Sequence, residues 1–140
     1  MAGKKVKSAS EMLATIVTEG IFEKKGEEVV TIDLRKMHNA VADFFVVCHA
    51  GSRAQVEAIA DSVQMEVKKA VGHNVWKKEG FENAEWVLLD YVDVVVHIFQ
   101  EAARKYYRLE DLWADAEIRL CKPAPPAKKR TKKNASAEEV

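Results

Sequence analysis

The sequence predicts a small α/β fold of the α+β kind, a mixed β-sheet packed with helices, on three observations. Helical spacing of apolar residues opens the chain and returns after residue 52. Short β-branched or wholly apolar runs lie between and after these helices without regular strand-helix alternation. Large apolar residues stop near residue 121, and 140 residues suit one core, since a chain of this length seldom builds two.

Each element has its own signal. Ser10 is placed to cap a helix running from Glu11 towards Lys25, where Met12, Leu13, Ile16, Val17, Ile21 and Phe22 share a face and Gly26 offers a stop. Glu27 to Leu34 reads as a strand, with Val30, Ile32 and Leu34 on one side and Val29, Thr31 and Asp33 on the other. Phe44 to Cys48 is apolar throughout, the pattern of a central strand buried on both faces. Ser52 caps the next helix, packed through Val56, Ile59, Ala60, Val63, Val67 and Val71 and ended by Gly72.

Val75 to Lys78 predicts a short strand, 79–84 a loop, and Trp86 to Leu89 and Val94 to Phe99 two further strands. Asp90 to Asp93 is too short a link for a parallel return, so these last two strands pair antiparallel. Glu101 to Tyr107 and Leu109 to Ala116 read as helical, with Tyr106, Tyr107, Leu109, Leu112 and Trp113 available to cover the sheet. The organisation expected is a basic flexible N-terminus over 1–10, a folded domain over 11–121 and a disordered basic tail over 122–140.

A formal charge of zero hides a split. Lys4, Lys5 and Lys7 and six basic residues beyond 121 leave a body with 13 basic and 20 acidic groups. Such a body repels a phosphate backbone, while basic ends add salt-sensitive, sequence-blind attraction to RNA. The lysines of the first ten residues precede no apolar segment, and no run reaches the ~18 apolar residues of a membrane span, so neither secretion nor membrane insertion is expected. Cys48 and Cys121 make neither a disulfide framework nor a zinc cluster, which suits a reducing, cytoplasmic setting.

Catalytic signatures are thin. His38, His49, His73 and His97 lack HxxxH or HExxH spacing, and neither GxGxxG nor a P-loop occurs, so no metal and no cofactor are expected. The best enzyme hypothesis joins the Gly51-Ser52 helix start, as a phosphate cradle, to Asp90 and Asp93 as Mg²⁺ ligands. Those acids stand three apart and share a face only if Tyr91 and Val92 turn. Cys48 and His49 alternate on a strand, so the histidine has no route to the thiol.

Aromatic and acidic residues concentrate between Trp86 and Phe99, with Tyr106, Tyr107 and Trp113 following. Trp86 opens a strand and Tyr91 adjoins an acidic turn, so both can stand at an edge rimmed by Glu85, Asp90 and Asp93. Such an edge favours a basic protein partner.

The runs Asp43-Phe44-Phe45-Val46-Val47, Gly51-Ser52-Arg53-Ala54-Gln55-Val56, Trp86 through Phe99 and Tyr107-Arg108-Leu109-Glu110-Asp111-Leu112-Trp113 carry a resemblance. Over about residues 12–116 the chain resembles the ribosomal silencing factor family, also called Iojap or YbeB. The resemblance implies a nucleotidyltransferase-like topology without the catalytic set. It implies a noncatalytic translational repressor that binds the large ribosomal subunit through ribosomal protein L-fourteen and blocks association with the small subunit under nutrient limitation.

It also implies homodimers in some members and large-subunit assembly in organellar ones. The family's partner-facing segment falls on Trp86, Leu89, Asp90, Tyr91 and Asp93, with His97 on the following strand. Val92 stands where the family usually has glycine, so a positive φ there would strain it. His49-Ala50-Gly51-Ser52 replaces a Thr-Gly-x-Ser or Ser-Gly-x-Ser run, a milder change. The competing readings are a Mg²⁺-dependent nucleotidyltransferase-like enzyme and a tail-driven RNA-binding or ribosome-binding assembly factor.

Overall fold

A computed structural model describes residues 7–123, so the expectations for 1–6 and 124–140 lie outside the described residues. Helix α1 spans Ala9–Glu23, and its cap is Ser8, not Ser10. Ser8 Oγ accepts the Glu11 N–H at 3.1 Å while Glu11 Oε1 accepts the Ser8 N–H at 2.8 Å, a reciprocal capping box. Ser10 is instead buried within the first turn, so regular structure begins ahead of the expected boundary at residue 11. Helix α2, Arg53–Val71, starts at Ser52, whose Oγ accepts the Gln55 N–H at 3.2 Å, and stops at Gly72 in the left-handed region.

The two long helices meet closely at Gly20. A Cβ there would lie 2.9 Å from the Val63 Cα, and Ser62 Oγ donates to the Gly20 carbonyl at 2.7 Å. Glycine here permits the helix-helix approach. Val71, expected in the packed stripe, is exposed with the rest of the last turn of α2, whose buried face ends at Val67.

Six strands, β1 (Glu27–Asp33), β2 (Phe44–Ala50), β3 (Lys77–Glu79), β4 (Trp86–Asp90), β5 (Val94–Gln100) and β6 (Glu117–Leu120), form one sheet in the order β3-β4-β5-β2-β1-β6. Among the described residues only β2 and β5 pair in parallel, so the sheet is mixed, and β4 pairs antiparallel with β5 as the short link requires. Strand β6 has no sequence forerunner. Its pairing to the outer side of β1 sets Ile118 opposite Ile32 and Leu120 opposite Val30.

Period-two alternation sorts the strand residues between two layers. Val29, Phe44, Val46, Cys48, Val87, Leu89, Val94, Val96 and Ile98 face α1 and α2. Val30, Ile32, Phe45, Val47, Val95 and Phe99 face a thinner cover made by the 35–43 connection, α3 (Glu101–Tyr107), the single turn α4 (Leu109–Leu112) and Trp113. The helix expected over Leu109 to Ala116 is thus only one turn long. Leu109 and Trp113 pack inward, whereas Tyr106 and Leu112 are 80% and 76% exposed and do not cover the sheet.

The thin layer is held by a buried arginine. Arg104 of α3 donates to the Glu28 carbonyl at 2.7 Å, to His49 Nδ1 at 3.0 Å and to the Glu110 carboxylate at 3.0 Å. Because His49 Nδ1 accepts, its proton sits on Nε2, which faces Glu27 Oε1 at 3.3 Å. One side chain therefore ties α3, α4, β1 and the end of β2 together.

Candidate functional site

The Asp90-Asp93 link is a tight turn. Asp90 Oδ1 accepts the Val92 N–H at 2.7 Å, the Tyr91 N–H donates to the Val94 carbonyl at 2.9 Å, and the Asp93 N–H donates to the Tyr91 carbonyl at 2.9 Å. That last bond closes a three-residue turn centred on Val92, whose φ is 75°. The Asp93 carbonyl also accepts from the Asp43 and Phe44 N–H groups at 2.8 and 3.1 Å, pinning the turn to the 35–43 connection. Val92 is 55% exposed, so its strain is not offset by burial. Val92→Gly should therefore stabilise the fold by about 0.5–1 kcal/mol after glycine's entropy cost, read as a melting-temperature rise of a few degrees.

The structure divides the six residues singled out at this edge. Leu89 is fully buried beneath α1 and α2, on the same face as Val87, and Tyr91 is 8% exposed in that layer, its hydroxyl without a partner among the described residues. Burial pushes the Tyr91 phenol up to about 12. His97 is buried on the opposite face against Phe45, ring centres 4.6 Å apart. Trp86, Asp90 and Asp93 alone among the six reach solvent, Trp86 and Asp90 half-buried and Asp93 exposed.

Trp86 joins the two groups. Its Nε1–H donates to His97 Nδ1 at 3.0 Å, so His97 carries its proton on Nε2, a buried N–H without a partner among the described residues. Burial pushes the His97 imidazolium down to about 4. With its polar atom turned inward, Trp86 presents ring surface outward, stacked on Phe99 at 4.9 Å and against Tyr107 at 4.8 Å. Trp86, Leu88 and Asp90, at i, i+2 and i+4, make a part-exposed stripe about 13 Å long.

Trp76 completes the edge. Its backbone N–H donates to the Asp90 carbonyl at 2.9 Å, and the side chain is 67% exposed. The Lys77 ammonium lies 5.9 Å from the ring centre, and an indole this open is the kind of group that anchors a protein contact. Neither Asp90 nor Asp93 has an ion-pair partner among the described residues; the neighbouring Lys77 pairs with Glu79 at 3.4 Å.

The enzyme hypothesis loses its geometry. Gly51-Ser52 follows the C-terminal end of β2, whereas Asp90 and Asp93 lie by the N-terminal ends of β2 and β5. The two halves of that site stand a strand apart, roughly 20 Å. Among the described residues, no three His, Cys, Asp or Glu side chains group as a metal site. Burial pushes the Cys48 thiol up to about 12, on the face opposite His49.

A family model described as "Ribosomal silencing factor during starvation" matches residues 7–140. The chain belongs to the ribosomal silencing factor family. A silencing factor of Halalkalibacterium halodurans is 40% identical over 108 residues, covering 77% of this chain and 91% of the relative. That of Bacillus subtilis is 43% identical over 96 residues, covering 69% and 80%. A crystal structure of a Chromobacterium violaceum protein aligns with a TM-score of 0.72 at 33% identity, covering 85% of this chain and 93% of that one. The mixed sheet with its helices is thus the fold of this family's solved relatives.

Among the described residues, no helix is long and apolar enough to cross a membrane.

Proposed function

We propose that this chain is a noncatalytic, cytoplasmic translational repressor that docks its aromatic and acidic edge on the large ribosomal subunit. The carrying observation is that Trp86 and Asp90 line one face of β4 with Asp93 in the turn after it, that the backbone of the exposed Trp76 bonds to Asp90, and that neither aspartate has an ion-pair partner among the described residues. Membership of the silencing factor family supports the ribosomal target. An edge of open indole and free carboxylate suits a basic protein, and the partner proposed is ribosomal protein L-fourteen. Occupation of that protein blocks joining of the small subunit and lowers translation when nutrients are short.

In this reading Trp86, Asp90 and Asp93 contact the partner, with Trp76 as an added anchor. Leu89, Tyr91 and His97 shape the edge from within. A second copy of the chain competes for the same surface as a homodimer, and the basic tail adds nonspecific RNA contact. Titration of purified L-fourteen should show Trp76→Ala and Asp90→Lys each weakening binding about tenfold or more while far-UV and melting signatures persist. Unchanged affinity of both folded variants overturns the assigned edge.

A further inference from the structure

Beside this edge lies a slot of about 420 Å³ lined by Glu85, Gln100, Ala102, Ala103, Tyr106 and Tyr107. Its chemistry is one-sided. One wall is a pair of exposed tyrosine rings that meet edge to face, centres 5.0 Å apart, and alanines complete the apolar lining. Apart from the tyrosine hydroxyls, the polar side chains offer acceptors. Glu85 is exposed and its carboxylate has no hydrogen-bond or ion-pair partner among the described residues. Gln100 donates its Nε2 to the Ala84 carbonyl at 3.1 Å, which fixes the amide and leaves its Oε1 free to accept.

No cation belongs to the lining, and the nearest basic residues in sequence are engaged. Lys105 pairs with Glu101 at 3.4 Å and Arg108 with Asp111 at 2.7 Å. Tyr107 in turn lies against Trp86, so the slot continues the aromatic and acidic edge.

We infer that the slot bounded by the Tyr106–Tyr107 pair, Glu85 and Gln100 receives an arginine side chain presented by the protein partner. A planar guanidinium stacks on a tyrosine face while its N–H groups reach the carboxylate and the amide oxygen, a combination an ammonium meets less completely. This rests on the reading that the partner is a basic protein, and it gives that contact its chemistry.

The test separates the two. The full-length chain is titrated with acetyl-Gly-Arg-Gly-amide and with its lysine and citrulline counterparts, read by NMR shifts of the tyrosine rings and the Gln100 side-chain amide. The arginine peptide should shift Tyr106, Tyr107 and Gln100 at millimolar concentration, with citrulline at least about tenfold weaker, and Glu85→Gln should remove most of the preference. Equal shifts with citrulline, or shifts confined to other residues, overturn the slot.

In parallel, Glu85→Lys and Tyr106→Ser should each weaken large-subunit binding about tenfold, since neither side chain supports the core. If Asp90→Lys abolishes subunit binding while both slot variants bind normally, the slot falls and the docking edge stands. If the unaltered chain binds no subunit, the ribosomal reading falls, and the peptide titration still decides the slot.

Discussion

Arg104→Met should lower stability by about 3 kcal/mol, a loss visible as a shifted urea midpoint at unchanged slope. The methionine retains the apolar stem but leaves the Glu28 carbonyl, His49 Nδ1 and the Glu110 carboxylate without the donors that bind them at 2.7–3.0 Å. Breaking a buried pair by removing one partner costs about 3–5 kcal/mol, and the lower end applies because Glu110 is about a quarter exposed. Arg104→Lys should recover only part of the loss, since one ammonium cannot reach three acceptors spread over α4, β1 and β2. A functional consequence follows, because α3 carries Tyr107 against Trp86. A loss below about 1 kcal/mol for Arg104→Met would show that α3 and α4 are held by apolar packing instead.

Acid should destabilise the fold through His97. Its folded value near 4 lies below the ordinary 6.5, so the unfolded chain takes up a proton first as pH falls. The His97 contribution is complete above pH ~6.5 and is lost progressively down to pH ~4, where the deficit reaches about 3 kcal/mol. Protonation must fall on Nδ1, the atom that accepts from Trp86, so charging also breaks the 3.0 Å bond that orients the indole. His97→Gln keeps an acceptor without titrating. Its stability curve should be flatter than the parent's between pH 6.5 and 4; parallel curves would contradict the account.

Much of this architecture is legible in the sequence where pattern and cap agree. Ser52 and Gly72 bracket α2, and the apolar runs of β2 and β5 read as buried strands because both faces are covered. The brevity of 90–93 sets the β4-β5 pairing. Elements set by tertiary context are not legible. Glu117-Ile118-Arg119-Leu120 lacks a β-branched run and becomes β6 because β1 offers an open edge. Arg104 reads as a surface charge on a short helix, yet the bulged end of β1 turns a carbonyl towards it.

The site is half legible. Alternation along β4 already separates Trp86, Leu88 and Asp90 from Val87 and Leu89, so the burial of Leu89 was available to period-two reasoning. Trp76 was missed, since a lone indole between a polar loop and a lysine pair carries no periodic signal. Only the pairing of its backbone with Asp90 brings it to the edge. The positive φ at Val92 was foreshadowed by the family's usual glycine, and the turn tolerates valine at a cost instead of rearranging.

The central claim is that this edge docks on the large ribosomal subunit, and co-sedimentation with isolated large and small subunits tests it most directly. The full chain, a chain shortened after residue 121 and Asp90→Lys would be run at two salt concentrations, with formation of joined ribosomes monitored in parallel. The account predicts that the full and shortened chains pellet with large subunits only and reduce joining, while Asp90→Lys stays in the supernatant. Binding that vanishes with the tail or with added salt, and is indifferent to Asp90→Lys, would contradict it.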